Sequence, residues 1–174
     1  SSEISFTTIV VDDSPCTPGF GNSTVTSVSN GTPPYTYLWA DGQTGVTATG
    51  LTQGTWSIMV TDDNGCSSTQ NVTVGLAPNL GIVSVTPVNA NCFSCDGALQ
   101  LTVSGGTPPY TFVNNTGQQG TTNNTTFNFN GLCAGPQSVI VTDFAGCQIT
   151  EIINIQSTAG FTVVRVNVTN SDCN

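Results

Sequence analysis

GLTQGTWSIMVTDDNGC, Gly50–Cys66, returns as GLCAGPQSVIVTDFAGC, Gly131–Cys147, with 9 of 17 aligned residues identical. Internal repetition of this length decides how a chain is organised before any local propensity does. Apolar side chains alternate in both copies. Ile58 and Val60 match Val139 and Val141, while Ser57 and Thr61 match Ser138 and Thr142. Successive strand residues point to opposite faces, so Trp56–Thr61 and Ser138–Thr142 read as half-buried strands. Each runs into a corner, Asp62-Asp63-Asn64-Gly65 or Asp143-Phe144-Ala145-Gly146. There Asp or Asn closes the turn and Gly supplies positive φ.

Upstream of each block stands GTPPYT, at Gly31–Thr36 and again 75 residues on at Gly106–Thr111. Paired prolines block helix and withhold ladder donors, so the motif predicts a turn that launches a strand. Those strands are Tyr35–Ala40 and Tyr110–Asn114. Tyr35 and Tyr37 correspond to Tyr110 and Phe112, an aromatic face expected to point inward. Trp39 corresponds to Asn114, which argues against a fixed core role for that position. The offset grows from 75 to 81 residues between the two blocks, so the second copy carries about six extra residues. They fall in Asn114–Thr126, whose Asn, Thr and Gly predict a lengthened surface loop.

Further out, an apolar β-branched run ending in cysteine occurs three times. ISFTTIVVDDSPC ends at Cys16, LGIVSVTPVNANC at Cys92, and FTVVRVNVTNSDC at Cys173. The chain is therefore expected to hold two whole units, residues 1–80 and 81–158. Residues 159–174 would be the first strand of a further unit, or a strand given to a neighbouring subunit by β-addition. No 3.6-residue period is present, and short β-rich runs recur about every ten residues. The expectation is all-β, two tandem antiparallel sandwiches.

Composition restricts function. Ten Asp and Glu face one cation, Arg165, and the net charge is −9. Binding a phosphate backbone depends on Lys and Arg, and so does adsorption to anionic lipid; both partners are excluded. No apolar run reaches the 18 or so residues of a membrane helix, and no signal peptide opens the chain, so Ser1 reads as a processed or excised start. Histidine and lysine are absent. With them go the usual general base, the common nucleophile pairs, the commonest metal ligand and the Schiff base. No enzyme and no catalytic residues are expected.

Seven cysteines in such a chain read as disulfides. Cys16 and Cys66 are the only two in the first unit and are expected to pair. Alignment then joins Cys92 to Cys147 and leaves Cys95 for Cys133, with Cys173 unpaired within the chain. A metal at Cys92-x-x-Cys95 is the rival, although structural zinc generally needs a second close pair. Asp62, Asp63 and Asn64, with Asp12 and Asp13 nearby, form a candidate Ca²⁺ site, against which stands plain turn chemistry. Asn-x-Ser/Thr sequons at Asn22, Asn30, Asn71, Asn114, Asn123, Asn124 and Asn167 are those expected by chance in this composition. Trp56 and Phe144 are candidates for stacking on sugars or for packing at a hairpin edge. Thr121-Thr122 and Thr125-Thr126 lack the regular array an ice-binding face needs.

NGTPPYTYLW (Asn30–Trp39), GGTPPYTF (Gly105–Phe112) and GLTQGTWSIMVTDDNGC together resemble the SprB-type repeat of large surface adhesins of gliding Bacteroidota. That pattern runs from a first cysteine through GGTPPYTYxW to GLxAGTYxVTVTDANGC. The chain departs from it at Asn114, usually Trp, and at Pro136-Gln137, usually Thr-Tyr. Cys92-x-x-Cys95 with Leu132-Cys133-Ala134-Gly135 is similar to a variant carrying a second cysteine pair. PKD domains are a weaker likeness, through Trp39-Ala40-Asp41-Gly42. The resemblance implies immunoglobulin-like sandwiches in tandem at the bacterial cell surface or secreted, serving adhesion, gliding motility or filament building. The expected role is a spacer, stalk or fibre unit whose partners are neighbouring repeats, copies of itself or surface glycans. The alternative is a carbohydrate-binding or accessory module.

Overall fold

Thirteen strands account for the regular structure of this computed structural model, which describes residues 3–92 and 94–158. The first unit holds β1 (Ser5–Val11), β2 (Gly21–Ser29), β3 (Thr36–Trp39), β4 (Thr47–Leu51), β5 (Gly54–Thr61) and β6 (Ser67–Val74). The second holds β7 (Gly81–Val88), β8 (Gly97–Ser104), β9 (Tyr110–Asn114), β10 (Gln119–Thr122), β11 (Thr126–Leu132), β12 (Gly135–Thr142) and β13 (Gln148–Ile155). All named strand pairs are antiparallel. In the first unit the sheet β1-β2-β4 faces the sheet β3-β5-β6; in the second, β7-β8-β11 faces β10-β9-β12-β13. In the second unit the first, second and fifth strands face the third, sixth and seventh, an immunoglobulin-like arrangement that the first unit keeps with one strand fewer.

Alternation drives each sandwich. Along β12, Gln137, Val139 and Val141 are buried while the residues between them are more open. Along β8 the buried set is Gly97, Leu99, Leu101 and Val103. Register carries these residues across the sheet: Val139 lies opposite Asn114 and Val141 opposite Phe112, as Ile58 lies opposite Trp39 and Val60 opposite Tyr37. Two apolar clusters result, and they share no residue. One gathers Phe6, Trp39, Leu51, Ile58, Val60 and Val74; the other gathers Leu99, Leu101, Phe112, Phe129, Val141 and Ile155. Gly21 and Gly97 open β2 and β8 where no side chain fits. A Cβ on Gly21 would lie 2.4 Å from the Leu51 carbonyl, and one on Gly97 2.8 Å from that of Leu132.

Two expectations change here. Trp39 is a central core element of the first unit, 2% exposed, with its indole N–H donating to the Gly45 carbonyl at 2.9 Å. The extra residues of the second unit are partly strand: β10 pairs with β9 from Gln119↔Val113 to Thr122↔Tyr110. A chain that has exposed a sheet edge gains by pairing it, and Gly120 leaves room for the Phe127 ring beneath. Residues 159–174, including the run Phe161–Asn170 and Cys173, lie outside the described residues.

Candidate functional site at the junction of the two units

Each sandwich has two ends, and the cysteines divide between them. The leading end carries the start of the first strand, the GTPPYT loop and the Asp-x-x-Gly-Cys corner. In the first unit this corner is built on Asp62. Its Oδ1 accepts the Cys66 and Asn64 N–H at 2.8 and 3.1 Å, and its Oδ2 accepts the Thr32 N–H at 3.1 Å. The backbone N–H of Gly65, which lies at φ +82°, donates to the Asp62 carbonyl. The Thr32 amide, with those of Cys66 and Asn64, holds the Asp62 carboxyl below its ordinary value against the opposing effect of burial. In the second unit Asp143 takes the same place, accepting from Cys147 N and Thr107 N, both at 2.8 Å.

The trailing end carries the loop after the first strand, the corner before the penultimate strand, and the chain exit. In the first unit Asp13 organises it. Its Oδ1 accepts N–H groups of Ser14, Gly19 and Phe20, and its Oδ2 that of Gln53. Burial pushes this carboxyl up, but the four amides outweigh it and leave it below the ordinary carboxylate value. Asp13 also clips the exit strand: its N–H donates to the Gly75 carbonyl, its carbonyl accepts from Ala77, and Gly75 N–H reaches Asp12 Oδ1.

The trailing end of the first unit meets the leading end of the second. Cys16 is disulfide-bonded to Cys147, with the Cα atoms 5.6 Å apart. Around the bond, Ser14 Oγ lies 3.3 Å from both sulfurs, and Thr17 Oγ1 donates to the Ala145 carbonyl at 2.6 Å. Phe20 meets Phe144 edge-to-face, ring centres 5.7 Å apart. The connecting segment is held from the other side by Gly106 N–H, which donates to the Pro78 carbonyl at 2.7 Å, and by Leu80 packed on the second core.

This arrangement corrects two expected disulfides. Cys16 does not pair with Cys66, nor Cys92 with Cys147; Cys66 and Cys92 are both free thiols. The reason is geometric. Each pair lies at opposite ends of one sandwich, separated by a strand such as the seven residues of β1, roughly 23 Å at about 3.3 Å per residue. A disulfide needs Cα atoms within about 7 Å. Cys95 and Cys133, both at the trailing end of the second unit, are bonded to each other. Their bond also removes Cys95 from any Cys92-x-x-Cys95 metal site.

The remaining candidates separate just as plainly. Asp62 is committed to backbone amides, and Asn64 Nδ2 donates to Thr32 Oγ1, so the corner is turn chemistry. Among the described residues no three Asp, Glu, His or Cys side chains gather to hold a metal. Trp56 lies against the first core with its indole N–H on the Thr52 carbonyl, and Phe144 lies on Phe20. Among the described residues no helix is long and apolar enough to cross a membrane.

Comparison with known proteins meets this geometry. The SprB repeat family model matches residues 8–44 and 84–119, one segment in each sandwich. No curated relative matches the chain. Among solved structures, the Dpr11 IG1 complex with DIP-gamma aligns with a TM-score of 0.39 at 10% identity, over 91% of this chain and 100% of that one. A titin I67–I69 fragment gives 0.38 at 11% identity, covering 90% of this chain and 66% of that one. Fibronectin(III)-like modules of Clostridium thermocellum CbhA give 0.33 at 13%, covering 88% and 94%. The chain is thus similar to the SprB repeat in one segment of each of its two sandwiches.

Proposed function

We propose that this chain is a load-bearing spacer segment of an extracellular bacterial adhesin or surface filament, catalytically silent, whose task is to hold distance and direction. The observation that carries the reading is the Cys16–Cys147 bond, 131 residues apart in sequence and joining one sandwich to the next. The buried carboxylates and the bonded cysteines at the ends of the sandwiches are committed to construction. Asp13, Asp62 and Asp143 accept backbone amides, and the bonded cysteines close loops or the junction. Disulfides persist in oxidising compartments, which supports placement outside the cell. The carbohydrate-binding alternative would rest on Phe144, which is 65% exposed beside Phe20, since Trp56 lies against the first core.

The cross-link changes how force travels. A pull on the two ends passes through Cys16 and Cys147, so the chain between them carries no extension. Reduction releases 131 residues, roughly 450 Å of contour at about 3.5 Å each. Single-molecule pulling of the whole chain tests this. Oxidised molecules are expected to yield only the short lengths outside the bond, β1 before Cys16 and β13 after Cys147, and reduced ones to release the hidden length as well. Identical traces in the two states would refute the spacer reading.

A further inference from the structure

We infer that the leading face of the first unit, centred on Cys66, is a docking and disulfide-bonding site for the cysteine-bearing loop of another unit of the same kind, so that units are covalently linked end to end. The inference rests on the spacer reading and extends it from one junction to a surface that has no occupant among the described residues.

The argument begins with a matched pair of corners. Five backbone and carboxylate hydrogen bonds recur one for one. Asp62 N donates to Cys66 O as Asp143 N does to Cys147 O, and Gly65 N to Asp62 O as Gly146 N to Asp143 O. Asp63 N donates to Thr32 O as Phe144 N to Thr107 O. The Cys66 and Thr32 amides meet the Asp62 carboxylate as those of Cys147 and Thr107 meet Asp143. The strand entering beneath is equivalent too. A Cβ on Gly31 would lie 3.3 Å from Ile4 Cγ1, and one on Gly106 3.2 Å from Leu80 Cδ1. Cys66 is therefore presented as Cys147 is.

The surfaces around the two thiol positions differ in one respect. On the second unit a groove of about 220 Å³ is lined by Asn79, Leu80, Cys147 and Gln148 together with Pro15 and Cys16, which come from the first unit. On the first unit the groove is about 320 Å³, and its lining includes Glu3, Ile4, Cys66 and Ser67, the four counterparts of those second-unit residues. Among the described residues nothing stands where Pro15 and Cys16 stand. The same floor is present twice, once with its occupant seated and once open. The seated occupant is the loop Ser14–Thr17, whose hydroxyl groups meet the cysteine and the corner carbonyl; the corresponding loop of the second unit, Ala90-Asn91-Cys92, keeps the cysteine without the Ser14 hydroxyl.

The donor in a second copy of this chain is Cys92. It is free and half-exposed at the trailing end of the second unit, where its thiol donates to the Thr158 carbonyl in the exit segment. That exit segment is paired to Ala90 as the exit of the first unit is paired to Asp13. Bonding follows thiol–disulfide exchange with a low-molecular-weight disulfide such as oxidised glutathione. The Cys92 and Cys66 thiols lose two protons and two electrons and form one S–S bond; the glutathione S–S bond breaks and yields two reduced glutathiones.

The test uses the full chain as Cys173→Ser, so that Cys66 and Cys92 are the only free thiols. It is incubated at micromolar concentration in a glutathione redox buffer and mapped by non-reducing peptide mass spectrometry. Docking predicts a ladder of head-to-tail multimers in which Cys66–Cys92 cross-links outnumber Cys66–Cys66 and Cys92–Cys92 combined by at least tenfold, where random pairing would give about equal amounts. Cys66→Ser is expected to abolish the ladder beyond dimers. A random mixture of the three cross-links, or Cys66 recovered only as its glutathione adduct, would overturn the inference. The Cys16–Cys147 peptide is scored in the same digest. Its absence would sink the spacer reading itself, while its presence with random cross-links would sink only this extension.

Discussion

The two units solve one problem with different chemistry. At the trailing end, the loop after the first strand must be tied to the corner before the penultimate strand. The first unit ties it with a carboxylate, Asp13 Oδ2 accepting the Gln53 N–H at 3.0 Å. The second places Ala90 at the matching exit bridge and ties the loop with the Cys95–Cys133 disulfide instead. Their cores diverge in the same way. The first fills its centre with Trp39; the second puts Asn114 there, with Oδ1 accepting from Thr116 and Gln118 in the turn toward β10. The volume is recovered by Phe127, stacked on Phe112 and edge-on to Phe129, each with ring centres 5.0 Å apart. That exchange leaves Asn114 Nδ2 and Gln137 Oε1 buried without partners, a cost the tryptophan solution avoids. A fold tolerates either device as long as the sheet-to-sheet space is filled and the loop is anchored.

The comparison breaks most sharply at Trp39. Trp39→Ala removes the largest buried side chain of the first unit and is expected to cost roughly 3–5 kcal/mol, confined to that unit. Both tryptophans, Trp39 and Trp56, lie in the first unit, so in the wild-type chain indole fluorescence follows that unit alone. Amide exchange by mass spectrometry follows both. Protection in β1–β6 should fall while β7–β13 stays protected, and equal loss in both would show that the units share one cooperative core. Next in size is the covalent tie. Cys95 and Cys133 close a loop of 38 residues, and Cys95→Ser with Cys133→Ser is expected to destabilise the second unit by about 4 kcal/mol. A first unit that lost as much stability in denaturant titrations would contradict the division.

The repeat, the strand alternation and the sandwich class were legible because period-2 burial is written directly in side-chain order: Ile58, Val60, Val139 and Val141 all face inward as read. Trp39 was misjudged because position-by-position comparison treats a swap to Asn as evidence of exposure. Compensation by Phe127 comes from another strand and has no mark at the site itself. The disulfides were misjudged for a related reason. Counting cysteines per unit assumes that partners share a unit, whereas pairing depends on which end of the sandwich each occupies. That signal was present, since a cysteine just after the first strand and one just after the penultimate strand must lie at opposite ends of the same sandwich. The junction that follows was illegible from within either repeat, because it exists only between them.

Acid sharpens the comparison more gently. Backbone amides hold Asp13 and Asp62 in the first unit below the ordinary carboxylate value. In the second unit the Asn91 backbone and side-chain amides do the same for Asp96. A carboxyl whose folded pKa is depressed contributes stability that is present above its unfolded pKa, about 3.9 for Asp, and lost as pH falls through the folded value. Stability near neutral pH is therefore indifferent to these groups, and the loss begins only below about pH 4. In the first unit it falls on Asp13, the group that ties the trailing loop; in the second that tie is covalent and does not titrate. Indole fluorescence should report loosening of the first unit at a higher pH than amide exchange reports for β7–β13. Asp13→Asn, which keeps an acceptor oxygen and removes the charge, should flatten the acid response of the first unit and leave the second unchanged. A second unit that opened first on acidification would mean that the disulfide and the carboxylate are not doing equivalent work.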